Sequence, residues 1–362
     1  MKKIRLIALL LCTALLCPLL CSCRKDVKEP KGHNMGAWEV QKEPTYKKKG
    51  TLIRSCTDEG CTYTQKHKVK AAKGLEYIEN EDGQLYISGR GSFKGSFLYI
   101  PAENEQGKPI FGIAQQAFLE DSKLQYVYIA EGLSHIEGYA FTGCPKLLGV
   151  HLPESCIEMN VGVFLSCPAL KRANIPSKIT RLSDQLFDGC NALEEVTLSE
   201  GVTDIGFSVF NLCTSLKTIT FPSTLATIGT DAFCGCTALT EIVFSTGLKE
   251  IGRNAFLNCD ALKTVILPEN LQALSECAFA YCDSLRTVYI PESVGSIGAS
   301  NGFSPFVYCN KELTLLTNAE NRPAGWAEDF NCYYLSTPEN STDPQDGYSY
   351  LKVVYGAQKP EN

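Results

Sequence analysis

The chain has 362 residues, of which 44% are hydrophobic and 20% are charged, with a formal net charge of −6. This length allows one elongated domain or several compact ones, and the composition is typical of a folded protein. The negative charge and the absence of a basic cluster exclude nucleic acid as an expected partner. The chain holds 18 cysteines, whose meaning depends on compartment and spacing.

The first predicted element is an export signal over residues 1–22. A basic start with Lys2, Lys3 and Arg5 precedes an apolar run that ends near Leu20. Such a pattern is typical of a secretory signal, and the run is shorter than the roughly 20 apolar residues that span a membrane. The alternative is a permanent N-terminal anchor helix.

The signal ends in a sequence that resembles the bacterial lipobox. Leu20, Ser22 and Cys23 stand at positions −3, −1 and +1 of the predicted cleavage site. The resemblance implies that Cys23 is acylated and holds an extracytoplasmic lipoprotein on the membrane through buried acyl chains. Arg24 follows, where an acidic residue would favour retention at an inner membrane, so we expect the outer membrane or the cell surface. The alternative is an ordinary signal peptide that carries cysteines.

Two short segments follow the signal. Residues 23–35 are polar and are predicted to form a lipidated tether. Residues 36–73 are predicted to form a small β-rich module, with two short strands around Gly50.

The module also holds a weak candidate for metal binding. Cys56, Cys61 and His67, with His33 as a further candidate, are residue types that bind zinc. A local disulfide and two free thiols are the alternatives. We predict no metal site and no cofactor.

An internal repeat dominates the chain after a predicted N-terminal cap hairpin at residues 74–112, where Asp82 and Gly83 form a turn between apolar runs. Residues 113–309 repeat with a period of 23 residues. The repeated residues are the phenylalanines Phe118, Phe141, Phe164, Phe187, Phe210, Phe233, Phe256 and Phe279, the cysteines Cys144, Cys167, Cys190, Cys213, Cys236, Cys259 and Cys282, and a leucine three residues after each cysteine.

Each repeat contains the short strand pattern L-x-x-I-x-F followed by proline. One such unit cannot bury its own apolar face, but stacked units can. We therefore predict a β-rich (α/β) solenoid, a leucine-rich repeat array with a parallel inner sheet. Within it Cys236 is expected to pack as a small buried apolar side chain, whereas Cys234 lies outside the repeated columns.

The consensus L-x-x-[VI]-x-[LIF]-P-x-x-[VL]-x-x-I-G-x-x-A-F-x-x-C resembles the BspA-type leucine-rich repeat of bacterial surface proteins, best over residues 110–300. DGQLYISG resembles the opening hairpin of that family, and RPAGWAEDFNC resembles its C-terminal cap, predicted here over residues 310–362. The module resembles one that often precedes such arrays, but its usual Cys-x-x-Cys-Gly is altered to Cys56-x4-Cys61, so no metal role carries over. The resemblance implies adhesion or host interaction, with diverse ligands.

The array departs from its consensus at three places. The Ile-Gly pair is replaced by EMN at residues 158–160 and by RLS at residues 181–183. Four extra residues between Ile297 and Cys309 predict the end of regular stacking.

The sequence contains no recognisable catalytic constellation. It has four histidines, none paired at metal-ligand spacing, and it has no nucleophile elbow and no phosphate-binding loop. We therefore predict that the protein is not an enzyme and has no small-molecule substrate.

The concave inner sheet is the expected ligand-binding surface, because the third and fifth residues of each strand point away from the core. Its outward positions are small and β-branched in the middle and aromatic at both ends. The predicted ligand-binding residues are Tyr126, Tyr128, His151, Arg172, Asn174, Glu195, Glu241 and Tyr289. The alternative is that these positions only favour strand formation.

Together these features predict a surface lipoprotein whose solenoid binds an extracellular or surface protein, most simply in adhesion to host or partner-cell proteins. One alternative is a structural or envelope-assembly scaffold that binds another surface component of the same cell. A polysaccharide-binding module is a third possibility, but the outward tyrosines are too few to favour it.

Overall fold

A computed structural model of the chain describes residues 30–298, 303–328, 330–335 and 348–360. The predicted signal and Cys23 lie outside these residues. Within them every regular element is a β-strand, so the fold is a parallel β-solenoid without the helical component that an α/β class would include. No helix in this part of the chain is long and apolar enough to cross a membrane.

A three-stranded antiparallel sheet opens the described chain. Its order is β1-β2-β3, and its strands are β1 (Glu39–Lys42), β2 (Thr51–Ser55) and β3 (Thr64–His67). The two strands around Gly50 were expected, but β3 was not, because TQKH carries no apolar alternation. Gly36 N donates to Ser55 O at 2.8 Å, and Met35 pairs with Cys56. Residues predicted to end the tether therefore belong to this sheet, and we call residues 33–73 the N-terminal module.

The L-x-x-I-x-F strands stack in parallel with partners 23 residues apart, for example Val127 on Val150. We call this stack the first ladder, and its outward side the strand face. Its strands hydrogen-bond in groups of five, two and four. They are β6 (Phe97–Ile100), β8 (Tyr126–Ile129), β10 (Gly149–His151), β12 (Arg172–Asn174), β14 (Glu195–Thr197), β16 (Thr218–Thr220), β18 (Glu241–Val243), β20 (Thr264–Ile266), β22 (Thr287–Ile290), β24 (Thr314–Thr317) and β27 (Lys352–Val354).

A second ladder runs beside the first and begins with the predicted hairpin, β4 paired antiparallel with β5. The remaining strands pair in parallel, in two groups that separate between β11 and β13. The strands are β4 (Glu76–Glu79), β5 (Leu85–Gly89), β7 (Ile110–Ile113), β9 (His135–Ile136), β11 (Glu158–Met159), β13 (Arg181–Leu182), β15 (Asp204–Ile205), β17 (Thr227–Ile228), β19 (Glu250–Ile251), β21 (Ala273–Leu274) and β23 (Ser296–Ile297).

The break in the second ladder coincides with the degraded Ile-Gly pairs. At a regular rung the glycine is required by close approach: a Cβ on Gly229 would lie 2.8 Å from the Gly206 backbone. Asn160 and Ser183 occupy this position at the break, and Ser183 Oγ donates to Met159 O at 2.5 Å. The break lies between these two rungs.

The solenoid core consists of repeated columns. The phenylalanine rings stack with centroids 5.1–5.6 Å apart from Phe118 to Phe279. Phe306 continues the stack at 6.2 Å from Phe279. The four extra residues precede Phe306, so the last ring of the array predicted over residues 113–309 joins the column at a wider spacing than the earlier rings.

The cysteine column has a role beyond filling space. Each buried thiol donates to the carbonyl oxygen of the phenylalanine in the preceding rung; for Cys236 and Phe210 O the distance is 3.2 Å, and for Cys309 and Phe279 O it is 2.9 Å. Burial raises the pKa of the Cys190 thiol to about 12. Cysteine thus supplies a small side chain and a proton donor for a backbone carbonyl that faces the core.

A β-structured cap closes the C-terminal end, as predicted. Trp326 is buried, donates from Nε1 to Val294 O at 2.6 Å and pairs with Ile297. The antiparallel pair that follows consists of β25 (Cys332–Leu335) and β26 (Tyr348–Tyr350). Trp326 covers apolar surface that the last rung would otherwise expose.

Candidate binding cleft

The N-terminal module packs against the first rungs of the strand face. The Trp38 indole meets the rings of Phe97 and Tyr126 edge to face, with centroids 5.9 and 6.0 Å away. These three residues join Leu52, Val69, Ala71 and Tyr99 in an apolar cluster distinct from the solenoid core. The outward aromatic residues of β6 and β8 are therefore buried against another part of the same chain.

Arg54 lies at the centre of this contact and is 4% exposed. Its Nη1 donates to Tyr126 Oη at 2.9 Å, and its Nη2 donates to Gln65 Oε1 at 2.6 Å. The guanidinium lies 4.5 Å from the Trp38 ring centroid and 5.2 Å from that of Tyr126. A planar cation between two aromatic faces is stabilised by both rings, and more strongly when it is desolvated.

Polar bonds join the module to the rungs at its margins. Tyr46 Oη donates to Glu103 O at 2.9 Å, and Tyr99 Oη donates to the Glu43 carboxylate. The Arg172 guanidinium donates to Met35 O. These bonds join residues 56 to 137 positions apart, so no local sequence pattern signals them.

A cleft of about 510 Å³ remains beside the docked module, between residues 33–39 and the rungs from β8 to β14. Six of the eight predicted ligand-binding residues line it: Tyr126, Tyr128, His151, Arg172, Asn174 and Glu195. Its volume lies within the range of pockets that hold ligands or side chains of a partner.

Stacked aromatic rings form the floor of the cleft. Tyr128 stacks on His151 with centroids 4.1 Å apart and on Tyr99 with centroids 5.3 Å apart. Burial lowers the pKa of His151 and raises that of Tyr128. Both rings are therefore uncharged near neutral pH and present aromatic faces rather than fixed charges.

Charged groups of both signs form the rim. Arg172 Nε lies 3.5 Å from Glu195 Oε2, and Lys171 Nζ lies 3.5 Å from Glu194 Oε1. Ion pairs of this length at a solvated surface contribute at most about 1 kcal/mol. A partner can therefore replace either pair with its own charges at little cost.

Four of the eight predicted residues, two of them in the cleft, have environments that differ from those of the floor and the rim. The Asn174 amide is engaged with the neighbouring rung, accepting from Leu152 N and donating to Leu152 O, both at 2.9 Å. Tyr126 and Tyr289 are 5% and 2% exposed, so little of either side chain is accessible, and of the two only Tyr126 lines the cleft. Glu241 is exposed on the central strand face, outside the cleft.

Sequence reasoning missed the module side of the cleft and the first strand of the ladder beneath it. Trp38, Arg54 and Phe97 all line it, yet none was predicted as a site residue. The sequence of β6, FLYI, carried a signal, because it is apolar at every position although this strand lies at the end of the repeat array. All four residues are buried in the structure. A strand that is apolar on both faces needs a covering element.

A cluster of possible metal ligands lies at the outer end of the module. His33, Cys56 and Cys61 place one ligand atom each within 4.8 Å of one another. His67, considered from the sequence, is not in this group, because its ring stacks on Phe97 at 4.8 Å. Burial, together with the nearby charges of Lys49 and Arg54, lowers the pKa of His67 to about 4. Cys56 and Cys61 are free thiols in the structure.

Comparison with solved structures finds other leucine-rich repeat proteins. A protein of T. pallidum is 24% identical over 52% of this chain and 88% of its own, with a TM-score of 0.48. A cell surface protein of Faecalibacterium prausnitzii is 20% identical over 67% and 92%, with a TM-score of 0.31. A Bacteroides capillosus protein is 30% identical over 35% and 95%, with a TM-score of 0.31. No curated protein matches the chain.

The family comparison covers more than half of the sequence. The BspA type leucine rich repeat region matches in six copies, over residues 111–240 and 205–310. These ranges contain the phenylalanine and cysteine columns of the core and most strands of both ladders. The chain therefore belongs to the BspA-type leucine-rich repeat family.

Proposed function

We propose that this protein is a surface lipoprotein that binds a protein partner through the cleft and the strand face beside it, and that this binding serves adhesion to host or partner-cell proteins. The observation that carries the proposal is the cleft, with an aromatic floor, a rim of both charges and an open path onto the central rungs. Family membership and the predicted signal and acylation at Cys23 support a surface location.

A protein partner suits this surface better than a small molecule. The cleft ends at β14, whose outward Glu195 and Thr197 line it. Beyond it the strand face is exposed as far as β20, at Thr218, Thr220, Glu241, Val243 and Thr264, and is partly covered at Ile266. An extended open surface next to a deeper aromatic cleft can hold an anchoring side chain and the chain around it. In this arrangement a side chain of the partner enters the cleft and its backbone follows the exposed rungs.

The envelope-scaffold function remains a second candidate, because the cleft lies close to the proposed anchor. Cys23 precedes His33 by ten residues in the sequence, which span at most roughly 35 Å. A site held so near the membrane is also suited to another component of the same envelope.

Adhesion of cells that carry the full-length protein tests the proposal. Tyr128→Ala combined with Glu195→Lys changes the floor and rim, and we expect adhesion to immobilised matrix proteins or partner cells to fall at least about tenfold, as for loss of an interface anchor. Glu250→Ala, an exposed change on the second ladder, is the matched control and should leave adhesion unchanged.

Deletion of residues 113–309 completes the test. Adhesion that survives this deletion contradicts the proposal. Crosslinking in intact cells that recovers only components of the same envelope, with no loss of adhesion in the cleft variant, favours the scaffold function instead.

A further inference from the structure

We propose that His33, Cys56 and Cys61 form a zinc-binding site in the N-terminal module. Backbone pairing brings the three residues together. Met35 pairs with Cys56, and Thr57 N donates to Asn34 O at 2.7 Å, so the segment that carries His33 runs beside the end of β2. Cys61 follows a turn closed by its own amide, which donates to Asp58 O at 3.0 Å.

The distances match tetrahedral coordination. Zinc lies about 2.3 Å from thiolate sulfur and about 2.0 Å from imidazole nitrogen, so two ligand atoms of one ion are about 3.5–3.8 Å apart. Cys61 Sγ lies 3.4 Å from His33 Nδ1, and all three ligand atoms lie within 4.8 Å of one another. The three ligand atoms are therefore already within about 1 Å of the separations that one zinc ion requires.

Neighbouring groups orient two of the three ligands. The His33 ring stacks on Tyr63 with centroids 4.2 Å apart and planes inclined by 12°. Cys56 Sγ lies 3.0 Å from Asp58 Oδ2, and the Asp58 carboxylate is held by Asn34 through N and Nδ2. Zinc binding releases the Cys56 proton, so the bond to Asp58 belongs to the metal-free thiol, and the carboxylate then lies beside the thiolate and the cation.

The donor set selects the metal. Two thiolates and one imidazole favour zinc over magnesium or calcium, which prefer oxygen ligands. Three protein ligands leave the fourth position of a tetrahedral ion to water. His33 and Cys61 are partly exposed, so solvent and metal reach the site from outside.

The ion would also brace one wall of the cleft. His33 and Cys61 are 28 residues apart, and a metal between them closes the loop that contains β1 and β2. Residues 33–37 line the cleft, and Met35 O receives the Arg172 bond. Zinc binding itself does not depend on the proposed adhesive function.

Metal content of the mature chain, purified with reductant and zinc and then dialysed, tests the site. We expect one zinc per chain, and thiolate-to-metal charge-transfer absorption when Co²⁺ replaces it. Cys61→Ser and His33→Ala should each lose the metal, whereas Cys234→Ser, a partly buried cysteine in the repeats, should retain it.

A rescue variant separates coordination from structure. His33→Cys preserves a zinc ligand but removes the imidazole, so it should restore about one zinc per chain relative to His33→Ala. Absence of zinc from the unmodified protein, with Cys56 and Cys61 recovered as a disulfide, overturns the proposal. Zinc retained in both Cys61→Ser and His33→Ala also overturns it.

Discussion

The N-terminal and central rungs of the first ladder share one interior but differ on the strand face. Outward positions of β6 and β8 carry Phe97, Tyr99 and Tyr126, all buried under the N-terminal module. The corresponding positions of β16 carry Thr218 and Thr220, which are exposed. The repeat thus fixes what points inward and leaves the outward residues free to differ. Aromatic residues on a repeat surface can mark a contact within the chain as well as a site for a ligand.

The largest predicted effect tests the interior that both regions share. Phe210 is fully buried between Phe187 and Phe233, with centroids 5.6 and 5.1 Å away. Phe210→Ala should lower the free energy of unfolding by about 3–5 kcal/mol, measured by denaturant titration, because it leaves a cavity within a continuous stack. Phe207→Ala, at a side chain 43% exposed in the same repeat, should change it by less than about 0.5 kcal/mol. Equal losses of unfolding free energy in the two variants would contradict the conclusion that the phenylalanine column stabilises the core.

The second largest effect concerns the docking of the N-terminal module, whose loss should leave the outward residues of β6 and β8 as exposed as those of the central rungs. Arg54→Ala removes the bond to Tyr126 and the stacking on Trp38, and should destabilise module docking by about 2–4 kcal/mol, as expected for a buried charged anchor. Hydrogen exchange in β2 and β8 should accelerate while the central rungs keep their protection. Lys66→Ala, exposed on β3, is the control. Unchanged exchange in Arg54→Ala would show that the module is held in another way.

A pH titration should separate the two regions without mutation. The pKa of His67 is about 4 in the folded chain, against about 6.5 when unfolded. Between these values the unfolded state binds more protons, so stability is fully present above about pH 6.5 and falls as the pH drops toward 4, by at most about 3 kcal/mol. The module should loosen before the central rungs in hydrogen exchange at pH 5. His67→Phe should reduce this pH dependence, and His135→Gln should retain it. Equal hydrogen-exchange protection of the module at pH 5 and pH 7 would contradict the assignment of this pH dependence to His67.

The smallest predicted effect tests the contribution of the cysteine column to the stability of the core. Cys236→Ala removes a buried thiol that donates to Phe210 O and should cost about 1–2 kcal/mol in unfolding free energy. Cys234→Ala, two residues earlier and outside the column, should cost less than about 0.5 kcal/mol. Alkylation should follow the same division, because the Cys236 thiol is fully buried. Rapid alkylation of Cys236 in the folded chain would contradict this.

The solenoid could be predicted from the sequence because the residues that form its core repeat with a constant period. Phe118 and its equivalents recur every 23 residues, and stacking identical side chains is the simplest way to bury them. The opening hairpin and the buried Trp326 of the cap carried equally local signals. The hydrogen bonds of the cysteine column were not predictable, because a buried thiol looks like any small apolar residue until a carbonyl is found beside it.

The cleft could be predicted only in part. Strand alternation placed Tyr128, His151, Arg172 and Glu195 on the outward side, and the structure brings them together. The opposing wall was missed because Arg54 and Tyr126 are 72 residues apart and belong to elements with unrelated patterns. For the same reason, sequence reasoning placed His67 ahead of His33 as a companion of Cys56 and Cys61, whereas the pairing of the module brings His33 to them.

Fluorescence quenching of Trp38 tests most directly the central claim, that the N-terminal module is docked on the first rungs. The chain has two tryptophans, so Trp326→Phe leaves Trp38 as the single probe. Docking predicts blue-shifted emission and weak quenching by acrylamide, with a marked increase in quenching when Tyr126→Ala is added. Strong quenching before that change, or quenching that Tyr126→Ala leaves unaltered, would contradict the docked module.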